Sequence, residues 1–355
     1  MSRFMSSKYA ALTPYTPGEQ PRGRQYIKLN TNESPFPPSP LAQKYAAEQI
    51  GQLELYSDPC CTALTEKAAQ VLGIDKDEIL FTNGSDDALN FAFMAFCDEE
   101  HPAVFPDITY GFYKVFAQLN NVPYRQIPLK EDFTVDIQDY CNAEGTVFIA
   151  NPNAPTGLCL SLADIETIVK SKPDRVVVID EAYIDFGGES ALSLIHKYDN
   201  LLVVQTFSKS RAMAGERIGF AIGNKKMISY LKDVKFSFNS YTMNLPSIVM
   251  GTESVKDAGY FHATTDKIIA TRERFKKGLR ELGFVFPDSH TNFVFAGHPD
   301  YPAKDLFMAL RERRIFVRYF SKPRICDYLR ITIGTDYQMD AVLAALREIM
   351  GVDRK

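Results

Sequence analysis

Chemistry in this chain would centre on Lys209. It stands in SKSRAMAGERIGF (208–220), just after the apolar run LLVVQT, and Arg217 follows eight residues later. A lysine at the end of a buried strand is costly unless it is paired, neutral or covalently used. A desolvated lysine is also a good amine nucleophile. On this segment alone, a solvated loop lysine reads equally well. In VVVIDEAYIDF (176–186), Asp180 and Glu181 end another apolar run. Ligands of open parallel sheets bind at the carboxyl ends of strands, which would aim Asp180 at a crevice. A plain helix or turn cap is the competing reading.

Three further segments end strands in polar or rigid chemistry. TNGSDDALNFAF (82–93) runs through Gly84, Ser85 and Asp86 into a helix, where free amides could hold a phosphate. An ordinary Ser or Asp N-cap would look the same. NPNAPTG (151–157) is a rigid turn with Asn151 and Asn153 as hydrogen-bonding groups. In DITYGFYK (107–114), Tyr110 could stack on a planar ligand or simply fill the core.

The elements that must position these residues alternate. Strands are expected at Ile79–Thr82, Ala103–Phe105, Thr146–Ala150, Arg175–Ile179, Leu201–Gln205 and Ile218–Ala221. Helices are expected at Ala63–Leu72, Asp86–Phe96, Tyr110–Leu119 and Leu162–Ser171. Runs such as RVVVID lack polar alternation, as strands buried on both faces do, so the pattern predicts an α/β fold with a mostly parallel sheet between helices. After about residue 245 the texture changes. A charged amphipathic helix over KIIATRERFKKGLRELG precedes Phe293–Ala296, a helix Ala303–Arg313, strands Ile315–Tyr319 and Leu329–Ile333, and a helix Met339–Met350. This predicts a smaller α/β C-terminal domain.

Bulk properties narrow the classes. A chain of 355 residues exceeds one hydrophobic core, and a net charge of −4 gives no support for nucleic-acid or membrane-surface binding. Cys60, Cys61, Cys97, Cys141, Cys159 and Cys326 form no CxxC pair, and the five histidines lack ligand spacing, so no metal is expected. The N-terminal stretch has no apolar signal-like core, and a reduced, cytoplasmic setting is the simplest expectation. Residues 1–40, rich in Pro, Gly, Asn and Ser, read as an extended arm.

Taken in order, KLNTNESP (28–35), TNGSDDAL (82–89), TYGFY (109–113), NPNAPTG (151–157), DEAY (180–183), TFSKSRAMAGERIG (206–219) and LRITIGT (329–335) resemble the fold-type-I aminotransferases that use pyridoxal 5'-phosphate. The resemblance implies an arm over 1–32 that packs on the small domain or a partner subunit, a cofactor-binding domain over 33–245 and a small domain over 246–355. It implies that Lys209 forms the Schiff base and shuttles the proton, Asp180 pairs with the pyridine nitrogen, Tyr183 bonds the ring oxygen and Tyr110 stacks on the ring. Ser85, Asp86, Ser208 and Arg217 would hold the cofactor phosphate, with Tyr56 of ELYSDP reaching it from the neighbouring subunit of a homodimer. The family's asparagine before PTG is here Ala154; either Asn153 stands in for it or Tyr183 carries the ring-oxygen contact alone.

For the substrate, Arg330 matches the family's anion-binding arginine, with Arg318, Tyr15 and Asn292 as further contacts. The branch implied acts on a phosphorylated amine with glutamate and 2-oxoglutarate as the other pair. Threonine-phosphate decarboxylases and aromatic or other amino-acid aminotransferases share most of these motifs. A non-catalytic binding protein on this fold is the reading from another class, and a binding module has no need of Lys209.

Overall fold

The computed structural model describes residues 4–10, 12–21 and 26–352; of the expected arm, residues 1–3, 11 and 22–25 lie outside them. The chain runs β1 (Ile27–Lys28), α1 (Pro40–Glu48), α2 (Thr62–Leu72), β2 (Ile79–Asn83), α3 (Ser85–Phe96), β3 (Ala103–Pro106), α4 (Phe112–Asn120), β4 (Tyr124–Ile127), α5 (Ile137–Asn142), β5 (Thr146–Ala150), α6 (Leu162–Ser171), β6 (Val177–Asp180), β7 (Leu201–Thr206) and β8 (Ile218–Gly223). There follow α7 (Lys225–Phe238), α8 (Leu245–Lys256), α9 (Ala258–Glu281), β9 (Phe293–Gly297), α10 (Ala303–Glu312), β10 (Ile315–Phe316), β11 (Arg318–Tyr319), β12 (Tyr328–Thr332) and α11 (Asp336–Met350).

A seven-stranded sheet of order β2-β8-β7-β6-β5-β3-β4 forms the centre. Its strands are parallel except β8, which runs against both β2 and β7. Val177, Val178 and Ile179 of β6 are fully buried, with one sheet face packed under α2, α6 and α8 and the other under α3, α4 and α7. Each such side chain contributes about 1.5–3 kcal/mol, which is why these strands read as unbroken apolar runs. The parallel strands bring Ala150, Asp180 and Thr206 to the same edge of the sheet.

The second layer is an antiparallel sheet, β11-β12-β9, with a core shared by α9, α10 and α11. The arm joins this unit: β1 pairs in parallel with β10, and Leu29 sits in the small core. The expected strand Ile315–Tyr319 is two short strands, because β10 turns to the arm while β11 pairs with β12. Helix α8, just past the boundary expected at 245/246, packs with the large layer. Ile248, Met250 and Val255 of α8 lie in the core of the large sheet, and α8 packs on α1 and α2. Strand β4 was unexpected; its exposed Arg125 and Gln126 suit a sheet edge and hide the apolar pattern.

Candidate active site

Asp180 ends β6 and is buried. Its Oδ2 accepts from the Tyr113 hydroxyl at 2.8 Å and its Oδ1 from the Ala182 amide at 3.2 Å. Burial pushes its carboxyl up to about 6, against those two hydrogen bonds, which favour the charged form. Asp180 has no ion-pair partner among the described residues. Burial, then the neighbouring carboxylates, raise the phenols of Tyr113 and Tyr110 well above their ordinary value, so both stay protonated donors.

Lys209 lies in the loop that follows β7. Its Nζ reaches the carbonyl of Thr31 at 3.4 Å and lies 5.8 Å from the centre of the Tyr183 ring. Lys209 forms no ion pair among the described residues, so its amine is not tied up by a carboxylate. Tyr183 packs edge-on to Phe293, and its hydroxyl accepts from the side-chain amide of Asn32 at 2.8 Å.

On the other side of Asp180, β2 enters α3 through Gly84, which has φ of 87° and no side chain with which to cap the helix. By contrast α6, α7, α8 and α11 all start on a side-chain cap. The first amides of α3 are thus left for another acceptor. Arg217, itself at φ 55°, sends Nη2 to within 3.3 Å of Asp86 Oδ2 and Nη1 to 3.5 Å of Ser208 Oγ. Left-handed backbone in such a residue costs about 1–2 kcal/mol, which the loop sustains to hold the guanidinium there. A Cβ on Gly84 would fall 2.3 Å from Arg217 Nη2 and would push the guanidinium from its place, on a backbone whose φ of 87° L side chains rarely adopt. The Tyr110 hydroxyl donates to Asp86 Oδ1 at 2.7 Å.

Ser85, Asp86, Tyr110, Asp180, Tyr183, Ser208, Lys209 and Arg217 line one cavity of about 130 Å³. A larger cleft, about 750 Å³, lies between Phe133, His298 and Arg324, away from these groups. The smaller cavity is the chemically equipped one. Its residues fit pyridoxal phosphate: a dianion suits the uncapped end of α3 with Ser208 and Arg217, and a protonated nitrogen would relieve the buried charge of Asp180.

The remaining residues divide. Arg318 and Arg330 face each other across β11 and β12. Arg330 donates to the Asn30 carbonyl at 3.0 Å, its Nε has no partner, and it lies over Phe293 and Phe320. Burial lowers its pKa. Tyr15 packs against Phe112 with ring centres 4.4 Å apart and the rings tilted by 32°, and lies near Tyr110 and Arg330. Asn292 is buried, donates to the Asn32 carbonyl and leaves its Oδ1 unpaired. Tyr56 is 84 % exposed, stacks on Tyr241 and is not part of the cavity of its own chain.

Asn153 is a correction. Its amide donates to the Ile108 carbonyl and Thr156 Oγ1, and its Oδ1 accepts from Thr109, so the side chain is spent on the turn and does not line the cavity. Ala154 is the residue that does. Two residues with a clear part in the geometry went unpredicted, Tyr113 and Asn32. Tyr113 could have been found: it stands one helical turn after Tyr110, and a fully buried tyrosine needs a partner.

Fold and site together define a pyridoxal-phosphate-dependent transferase of the fold-type-I class. The chain belongs to the aminotransferase class I and II family, whose profile it matches over residues 24–346. It is 50 % identical over 352 residues to the histidinol-phosphate aminotransferase of Brachyspira hyodysenteriae, covering 99 % of each chain. It is 50 % identical over 353 residues to that of Marinomonas sp., covering 98 % of this chain and 100 % of the other. The solved histidinol-phosphate aminotransferase of Sinorhizobium meliloti, in complex with pyridoxal-5'-phosphate, has the same fold: TM-score 0.84 at 23 % identity, over 93 % of this chain and 92 % of that one. Among the described residues no helix is long and apolar enough to cross a membrane.

Proposed function

We propose that this enzyme transfers the amino group of L-histidinol phosphate to 2-oxoglutarate, giving imidazole-acetol phosphate and L-glutamate, as a cytoplasmic step of histidine biosynthesis. The observation that carries the choice of substrate is the opposed pair Arg318 and Arg330. Like charges directly across a strand pair destabilise each other, and a dianionic phosphate offsets that repulsion with charge-assisted hydrogen bonds. The cofactor's own phosphate has a separate cradle at α3, so the site provides for two anions. In the second half-reaction Arg330 would hold a carboxylate of 2-oxoglutarate.

Pyridoxal phosphate supplies the carbonyl that takes up the amino group and a ring that withdraws electrons from the reacting carbon. The chain does the rest. Lys209 Nζ would anchor the cofactor as an imine; once the incoming amine displaces it, the freed amine would serve as the base that takes the proton from the amine-bearing carbon. Asp180 keeps the ring nitrogen protonated, and Tyr113 keeps Asp180 ionised by donating to it. Tyr183 donates toward the ring oxygen. Ser85, Ser208 and Arg217 hold the phosphate. The exposed Tyr56 supports a homodimer in which it completes the partner's cradle.

The test is an amino-transfer assay with glutamate or 2-oxoglutarate against histidinol phosphate, phenylalanine, tyrosine and threonine phosphate. Histidinol phosphate should give the highest kcat/KM. Release of carbon dioxide from threonine phosphate, without transfer to 2-oxoglutarate, would overturn the proposal in favour of a decarboxylase.

A further inference from the structure

We propose that Asn32 is a positioning residue that fixes the direction of the Tyr183 hydroxyl hydrogen bond, so that the tyrosine must donate into the cofactor cavity. The argument is the order of protons along a short chain of hydrogen bonds. Asn32 is 1 % exposed and stands at φ 57°, a left-handed conformation that asparagine tolerates better than most residues. Its backbone N–H donates to Thr332 Oγ1 at 3.0 Å. That leaves the Thr332 hydroxyl proton for Asn32 Oδ1, 3.1 Å away. With Oδ1 so occupied, the Asn32 amide faces Tyr183 with its nitrogen, which can only donate, over 2.8 Å. The Tyr183 oxygen is therefore an acceptor on that side, and its own proton is free to point into the cavity that Tyr183 lines.

Three parts of the chain meet in this device: the arm, the turn after β6 and strand β12. The Asn32 carbonyl also receives Asn292 Nδ2 at 2.9 Å, which anchors the backbone as well as the side chain. The role matters here because Ala154 brings only a methyl group to the cavity wall and Asn153 is committed elsewhere. Tyr183 is then left to donate to the cofactor's ring oxygen without help from an asparagine at that turn.

The inference rests on Tyr183 facing that ring oxygen, and the experiment separates the two ideas. The holoenzyme is titrated and the pKa of its visible, lysine-bound cofactor band is read in wild type, Asn32→Asp, Tyr183→Phe and the double variant. A carboxylate in place of the Asn32 amide would accept rather than donate and would draw the Tyr183 proton away. The band pKa should rise in Asn32→Asp by about 1 unit or more. In the Tyr183→Phe background the same change should add little, because the hydroxyl it redirects is gone. A wild-type pKa in Asn32→Asp, or an equal shift with and without the Tyr183 hydroxyl, overturns the role of Asn32. An unchanged band in Tyr183→Phe overturns the ring-oxygen contact itself. Thr332→Val, which frees the Asn32 amide to rotate, reads the same chain if Asn32→Asp does not fold; a smaller shift of the same sign supports the proposal, and no shift counts against it.

Discussion

The Tyr113 hydroxyl lies 2.8 Å from Asp180 Oδ2, and both side chains are buried. The two are tied in opposite senses. The buried carboxylate raises the phenol pKa, and the phenol lowers that of the carboxylate. Tyr113→Phe should therefore push Asp180 further up and weaken its hold on a protonated ring nitrogen. We expect cofactor affinity and kcat to fall together, by roughly 10-fold for a hydrogen bond to a charged group. Equilibrium dialysis of the cofactor and steady-state kinetics check both.

Asp180 and its neighbour Glu181 also make the apoenzyme pH-sensitive. Burial raises Asp180 to about 6 and Glu181 to about 7. A carboxyl whose pKa is higher folded than unfolded binds protons better in the native state, so stability falls as pH rises through the interval between the two values. From about pH 4 to about pH 7 the apoenzyme should lose stability, with each group contributing on the order of 3 kcal/mol at most. Glu181→Gln should flatten the upper part of the slope in urea unfolding measured at several pH values. Cofactor binding should remove the share due to Asp180.

Gly84 and Lys209 test the cofactor site from its two ends. Gly84→Ala would press a methyl into Arg217 and force backbone at φ 87° into a strained state. Cofactor dissociation should be at least about 10-fold faster, the loss expected for one charge-assisted contact. Lys209→Ala should abolish the visible band and lower kcat by roughly 1,000-fold or more, since one amine is both nucleophile and proton carrier. An unchanged spectrum in that variant would remove Lys209 from the chemistry.

For the substrate, Arg318→Met should lower kcat/KM for the phosphorylated amine by about 10- to 100-fold, the range for a charged hydrogen bond. It should cost glutamate less, because a carboxylate carries one charge and is served by Arg330 alone. The comparison of the two donors in one variant is the measurement. An equal loss for both would show that Arg318 does not discriminate phosphate.

Much of this was legible beforehand, for physical reasons that also mark its limits. Val177–Asp180 and Leu201–Thr206 announce themselves because strands buried on both faces have no polar alternation, and Asp180 and Lys209 stand where such runs stop. Helix α8 did not announce itself: Ser247, Gly251, Thr252 and Ser254 are buried, so no apolar stripe reveals a face. Asn32 was beyond reach, since its partners Tyr183 and Thr332 are 151 and 300 residues away. Asn153 shows the converse. A polar residue in a rigid turn looks available to a ligand, but its three hydrogen bonds all run back into the protein.

The exposed Tyr56 gives the decisive test of subunit sharing. Its loop is pinned from behind, with Ser57 Oγ donating to the Met243 carbonyl and Lys235 Nζ to the Pro59 carbonyl at 3.0 Å, so the ring is presented outward and not loosely tethered. If it completes the partner's cradle, Tyr56→Ala and Lys209→Ala chains fail for complementary reasons. In a mixed dimer, one site lacks both groups and the other has both. Random reassortment makes about half of all dimers mixed, each with one intact site of two, so activity should return to roughly a quarter of wild type. Co-refolded or co-expressed chains, assayed against each variant alone, read this directly. No gain on mixing, with mixed dimers demonstrated by tagged chains, would place Tyr56 outside the catalytic site.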